Sequence, residues 1–191
     1  MNIKDIIQAS IDTKQRVLED SNMLHVIENI THAMISCFKN DGQVLFCGNG
    51  GSAADAQHIA AEFSGRFYFD RDPLNAEALH VNTSYLTAVG NDYSYDEIYA
   101  RMVKARGRKG DILVGISTSG NSGNVVRALE VAKEQGMITV GFTGEAGGRI
   151  KALADYLVNI PSDDTPRIQE CHILVGHIIC ELVEKALFTQ P

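Results

Sequence analysis

The chain has 191 residues, 45% of them apolar and 21% charged, which is the balance of a globular domain with one substantial core. A net charge of -7 without any basic stripe argues against a nucleic-acid or membrane-surface binder. No stretch approaches the roughly 20 apolar residues of a membrane span, and the N-terminus lacks a signal-type apolar core, so a cytoplasmic protein is expected. Cys37, Cys47, Cys171 and Cys180 lack C-x-x-C spacing and lie within apolar patterns, as reduced buried thiols do.

In chain order, apolar residues at Ile3, Ile7, Ile11, Val17 and Leu18 predict an amphipathic helix. A second helix carries Met23, Val26, Ile27, Ile30, Ala33, Met34, Cys37 and Phe38 on one side, and Asp41-Gly42 ends it. Strand and helix signals then alternate: strand 44–47, helix 53–64, strand 76–81, short helix 85–89, strand 112–117, helix 125–135, strand 137–142, helix 149–154 and strand 156–160. The short basic cluster from Lys104 to Lys109 reads as a solvated helix end. Pro166 opens a last helix, running from about Arg167 to Leu187. Alternation of this kind predicts an α/β fold, a three-layer αβα sandwich around a five-stranded parallel sheet. The terminal helices carry more apolar surface than five strands require. Either intrachain packing or contact between subunits is expected to cover it.

Ligands of such sheets bind beyond the carboxyl ends of the strands, and two glycine-rich loops fall there, Gly48–Ser52 and Ser117–Ser122. The second follows the β-branched run Ile112–Ile116 with Ser117, Thr118, Ser119, Gly120, Asn121 and Ser122. Its hydroxyls can cap the following helix while first-turn N–H groups stay free for an anion. With no Lys or Arg in the loop, a sugar phosphate suits it better than a nucleoside triphosphate with its metal. The first loop formally matches G-x-G-x-x-A, but the second strand ends in Asn82 where a dinucleotide site wants an acid. A plain strand-to-helix turn stays open there.

His58 and Glu62 stand at i, i+4 on the helix leaving the first loop and so share a face. Alone they are equally a surface pair. On the last helix Gln169, His172 and His177 are polar groups in an apolar pattern, and buried polar groups need partners. Two His, one Glu and an amide oxygen suit a divalent metal such as Zn²⁺. Gln169 and His177 lie about 12 Å apart along an ideal helix, so convergence needs long side chains or a bend. Glu170 and His172 read as supporting or interface groups.

The segments CGNGGSAADAQHIAAEFSGRF, Gly90-Asn91-Asp92, GDILVGISTSGNSGNV and RIQECHILVGH, in this order across nearly the whole chain, resemble the phosphoheptose isomerases, which are sugar isomerase (SIS) domain proteins. The resemblance implies a single flavodoxin-like SIS domain over 1–191, with a helical pair over 1–40 and the αβα core plus C-terminal helix over 41–191. It implies conversion of sedoheptulose 7-phosphate to D-glycero-D-manno-heptose 7-phosphate, the first step towards the ADP- or GDP-heptoses of lipopolysaccharide and related glycans. It implies a cytoplasmic homotetramer with interfacial active sites and zinc. By the same resemblance Ser117, Thr118, Ser119 and Ser122 hold the phosphate with Ser52 nearby, while Asn49, Gly50, Gly51, Asn91, Asp92 and Gln169 line the sugar. His58, Glu62, Gln169 and His177 are then the zinc ligands, and Glu62 and His177 the proton-transfer pair. Arg66 stands between a phosphate contact and an interface ion pair, and the 70–76 segment has no assigned role. A non-enzymatic rival exists among SIS-domain regulators that associate with the replication initiator. That branch lacks the counterparts of Glu62 and His177, and this chain has both.

Overall fold

The computed structural model describes residues 2–188. Helix α1 (Ile3–Glu19) is followed by α2 (Ser21–Lys39), whose first turn is capped by the Asp20 carboxylate accepting from the Asn22 and Met23 N–H groups. The core then runs β1 (Val44–Gly48), α3 (Gly51–Ser64), β2 (Ala76–Ala78), α4 (Thr83–Asp92), α5 (Glu97–Arg106), β3 (Ile112–Ile116), α6 (Gly123–Glu134), β4 (Ile138–Gly144), β5 (Tyr156–Ile160) and α7 (Thr165–Leu187).

All four strand pairings are parallel, in the order β2-β1-β3-β4-β5. Val44 stands opposite Ile112, and Ile112 opposite Ile138, so successive residues alternate between two apolar layers. Phe46, Val114 and Phe142 face a core built with α2, α3 and α7. Leu45, Cys47 and Leu113 face the layer of α5 and α6. The sheet grows from β1 to β2 on one side and from β1 to β3 on the other, so its switch point lies between β1 and β3, and the crevice beyond their carboxyl ends is where such sheets bind ligands.

Four local expectations change. Strand β2 stops at Ala78 rather than Val81, because the chain turns at Leu79 and Asn82 caps α4. Helix α4 is twice the expected length. Residues 149–154 form a 3₁₀ turn, Gly148–Ala152, rather than an α-helix. Helix α5 was legible only at its basic end, although Ile98, Tyr99, Ala100 and Val103 are all buried. The four cysteines are free and buried, and burial pushes the Cys47 thiol up to about 12.

Helix α1 touches the body mainly through Thr13 and Val17, leaving Ile3, Ile7 and Ile11 between 51% and 63% exposed. Intrachain packing therefore does not cover that stripe. Among the described residues no helix is long and apolar enough to cross a membrane.

His172 joins α7 to the sheet. Fully buried, it donates from Nε2 to the Thr143 carbonyl at 3.1 Å near the end of β4, and burial holds its pKa down at about 4. The unfolded chain takes up this proton as pH falls below 6.5, whereas the folded chain refuses it until about 4. The neutral ring thus contributes stability that is intact above 6.5 and fades between 6.5 and 4, by roughly 3 kcal/mol over the window. His172→Gln keeps a donor that does not titrate. Between pH 7 and 4.5, urea unfolding should show the variant losing roughly 2 kcal/mol less stability than the parent. Equal losses would remove His172 from the acid response.

Candidate active site

The crevice is bordered by the two loops. After β1 the chain turns at Asn49-Gly50 directly into α3, which begins without a side-chain cap. After β3 it passes Ser117 to Ser122 into α6, which also begins without one. The loop hydroxyls were expected to be able to cap α6, and Ser122, at the N-cap position, does not. Instead its hydroxyl turns to Ser117 Oγ at 2.9 Å, and Ser117 Oγ lies 3.4 Å from Ser119 Oγ. The hydroxyls form one cluster, and none of them caps α6, whose Val125 N–H donates instead to Asn124 Oδ1 at 2.9 Å. Two helix N-termini, each carrying about half a positive charge, thus lie at these loops without a bond from an N-cap side chain, and the Asp96 carboxylate packs beside Gly123 at the start of α6.

Neighbouring backbone braces the second loop. Gly144 N–H donates to the Thr118 carbonyl and Ile150 N–H to the Gly120 carbonyl. A cavity of about 220 Å³ opens beside it, lined by Thr118, Ser119, Glu145, Ser162, Asp163 and Thr165. The loops are joined by Asn49 and Asn124, whose amides exchange two hydrogen bonds of 2.8 Å. The Tyr95 hydroxyl donates to Asn49 Oδ1 at 3.2 Å. Asn124 and Tyr95 escaped the sequence reading, since the pairing spans 75 residues and neither amide partner shows a local pattern. Ser52 is buried in the first turn of α3. Asn91 and Asp92 are exposed at the end of α4, bonded to each other and three to four residues before Tyr95.

Two turns further along α3 three polar side chains meet. His58 Nε2 lies 3.1 Å from His177 Nε2 and 3.3 Å from Glu62 Oε1. One ligand atom from each of the three falls within 4.8 Å of the others. Two imidazole nitrogens and a carboxylate oxygen at this spacing fit a divalent ion of the zinc type. The Phe67 ring covers His177, with centroids 5.7 Å apart. Asp55, overlooked in the sequence, shares this face of α3 with Gly51, His58 and Glu62. Its carboxyl is pushed up to about 6 by burial, partly opposed by His58.

The structure brings together three of the four expected metal ligands, and Gln169 stands apart from them. Its amide rests on Gly51, where an added β-carbon would lie 2.6 Å from Nε2. Gly51 and His58 are seven residues apart, about 10 Å along a helix. Arg66 is exposed in the segment after α3.

The SIS-domain profile matches residues 7–144, and the chain belongs to the SIS-domain family. The phosphoheptose isomerase of Aneurinibacillus thermoaerophilus is 53% identical over 186 residues, spanning 97% of this chain and 94% of that protein. A second relative, phosphoheptose isomerase 2 of Campylobacter jejuni, is 52% identical over 97% of this chain and 92% of its own length. The solved phosphoheptose isomerase of Neisseria gonorrhoeae superposes with a TM-score of 0.90 at 44% identity, covering 96% of this chain and 97% of that one. Within the SIS-domain family, the chain belongs to the phosphoheptose isomerases.

Gly51 offers a clean perturbation. Gly51→Ala meets only the flexible end of Gln169, so the fold should survive while the amide is displaced. The expected result is a melting temperature within a few degrees of the parent and a fall in isomerase kcat/KM of roughly tenfold. Parental kcat/KM would separate Gln169 from the site.

Proposed function

We infer that the chain isomerises sedoheptulose 7-phosphate to D-glycero-D-manno-heptose 7-phosphate by proton transfer through an enediolate, at the head of a route to activated heptoses for surface glycans. The convergence of His58, Glu62 and His177 beside an anion-binding crevice carries this reading.

Phosphate is held by the hydroxyls of Ser117, Thr118, Ser119 and Ser122 and the amides opening α6, with Ser52 on the neighbouring helix end. These donors are neutral and fixed, which suits a dianion beside a helix N-terminus. The sugar extends along Asn49, Gly50, Gly51 and Gln169, with Asn91 and Asp92 at its border. Glu62 removes a proton from C1 of the ketose, and the electron pair moves into the C1–C2 bond while O2 gains negative charge. His177 transfers protons between O1 and O2, and Glu62 returns its proton to C2 to give the aldose. His58, at hydrogen-bond distance from both, orients them. His58, Glu62 and His177 would hold Zn²⁺, which when bound polarises the carbonyl and stabilises enediolate charge. In solution the protein is a cytoplasmic homotetramer, in which second copies cover the Ile3, Ile7 and Ile11 stripe.

Two variants separate chemistry from anchoring. Glu62→Gln should lose at least roughly a hundredfold in kcat with substrate affinity retained. Ser119→Ala should weaken substrate Kd roughly tenfold with a smaller effect on kcat. Near-parental turnover of the Glu62 variant would overturn the assignment of the base. Elemental analysis of chelator-free protein should find one zinc per subunit, and metal-free protein with full activity would remove zinc from the site.

A further inference from the structure

The segment after α3, to which the sequence assigned no role, supplies Arg71 to a buried ion pair with Glu184 of α7. The two side chains are only 2% and 1% exposed, with Arg71 Nε 3.0 Å from Glu184 Oε1. A buried pair is a weak source of net stability, because desolvating both charges consumes most of their attraction. Its other bonds are more informative.

The Arg71 guanidinium donates to the carbonyls of Glu62 at 2.9 Å, Phe63 at 2.7 Å and Gly65 at 3.1 Å. These belong to the final turn and exit of α3, where helix carbonyls lack intrahelical partners. A fourth bond, to the Asp72 carbonyl at 3.0 Å, closes the segment on itself. The Phe188 ring lies under the guanidinium with its centroid 5.3 Å away. Glu184, on α7, accepts from the backbone N–H groups of Phe67 at 2.9 Å and Tyr68 at 2.7 Å. Phe67 is the residue whose ring packs on His177.

One pair therefore touches both sides of the reacting groups from behind. We propose that Arg71 and Glu184 are positioning residues for the isomerisation, fixing Glu62 through its own carbonyl and His177 through Phe67. This rests on the reading of Glu62 and His177 as the proton-transfer pair. Neither Arg71 nor Glu184 meets the substrate. Their effect is confined to the geometry of groups that do, so it falls on turnover rather than on the phosphate loop, which is anchored on β3 and β4.

The test uses Arg71→Lys, which keeps the charge but loses the planar fork, and Glu184→Gln, which keeps an acceptor but loses the charge. Both are compared with the parent and Glu62→Gln for kcat, KM and melting temperature. At least one conservative variant should stay folded with kcat down roughly tenfold or more and KM within about twofold. Parental kcat in a folded variant, or a rise in KM alone, would overturn the proposal. So would a loss of melting temperature with kcat per folded molecule unchanged. If Glu62→Gln itself turns over normally, the functional reading fails; if it is inactive while the Arg71 and Glu184 variants are fully active, only the positioning role fails.

Discussion

The site depends on the close approach of α3 and α7. Gly176 makes it possible, because a β-carbon there would lie 2.8 Å from Ile59 Cγ1. Each helix follows a strand of a parallel sheet, so the two run in the same direction on one face. Their contacts keep step from end to end: Gln169 against Gly51, Gly176 against Ile59, His177 against His58, and Glu184 against the chain leaving α3 at Phe67. A slip of one residue on either helix turns its side chains by about 100° and separates the imidazoles. The register thus decides both where Gln169 meets Gly51 and where His177 meets His58.

Charge is distributed to suit. A chain with net charge -7 that binds an anion needs local positive potential without a cluster of cations. Two uncapped helix N-termini and a hydroxyl cluster supply it at the crevice. A deeply buried cation acts elsewhere: Arg71 satisfies the carbonyl end of α3, where the helix dipole is negative. On the proposed reading, the phosphate end and the reacting end are held by separate devices, the loop in one case and a buried ion pair in the other.

What the sequence disclosed follows from range. The strands were legible because buried β-branched runs declare themselves within five residues, and both loops because hydroxyls and glycines follow those runs directly. His58 and Glu62 were visible as a pair at helical spacing, but their meeting with His177 crosses 119 positions and depends on helix register. Asn49 with Asn124 and Arg71 with Glu184 are likewise long-range pairs whose members look ordinary locally. The body of helix α5 was missed because its buried residues are interleaved with charges and its start lacks a side-chain cap. Strand β2 was overextended because Leu79 and Val81 continue the strand pattern past the point where pairing to β1 ends.

Gly176→Ala tests the dependence on helix approach most directly, since it adds one methyl group at the α3–α7 contact and alters no polar group. The measurement is kcat for sedoheptulose 7-phosphate isomerisation beside substrate Kd and melting temperature. If helix approach sets the reacting geometry, the folded variant loses roughly a hundredfold in kcat while Kd stays within about threefold. A folded Gly176→Ala protein with parental kcat would contradict the account.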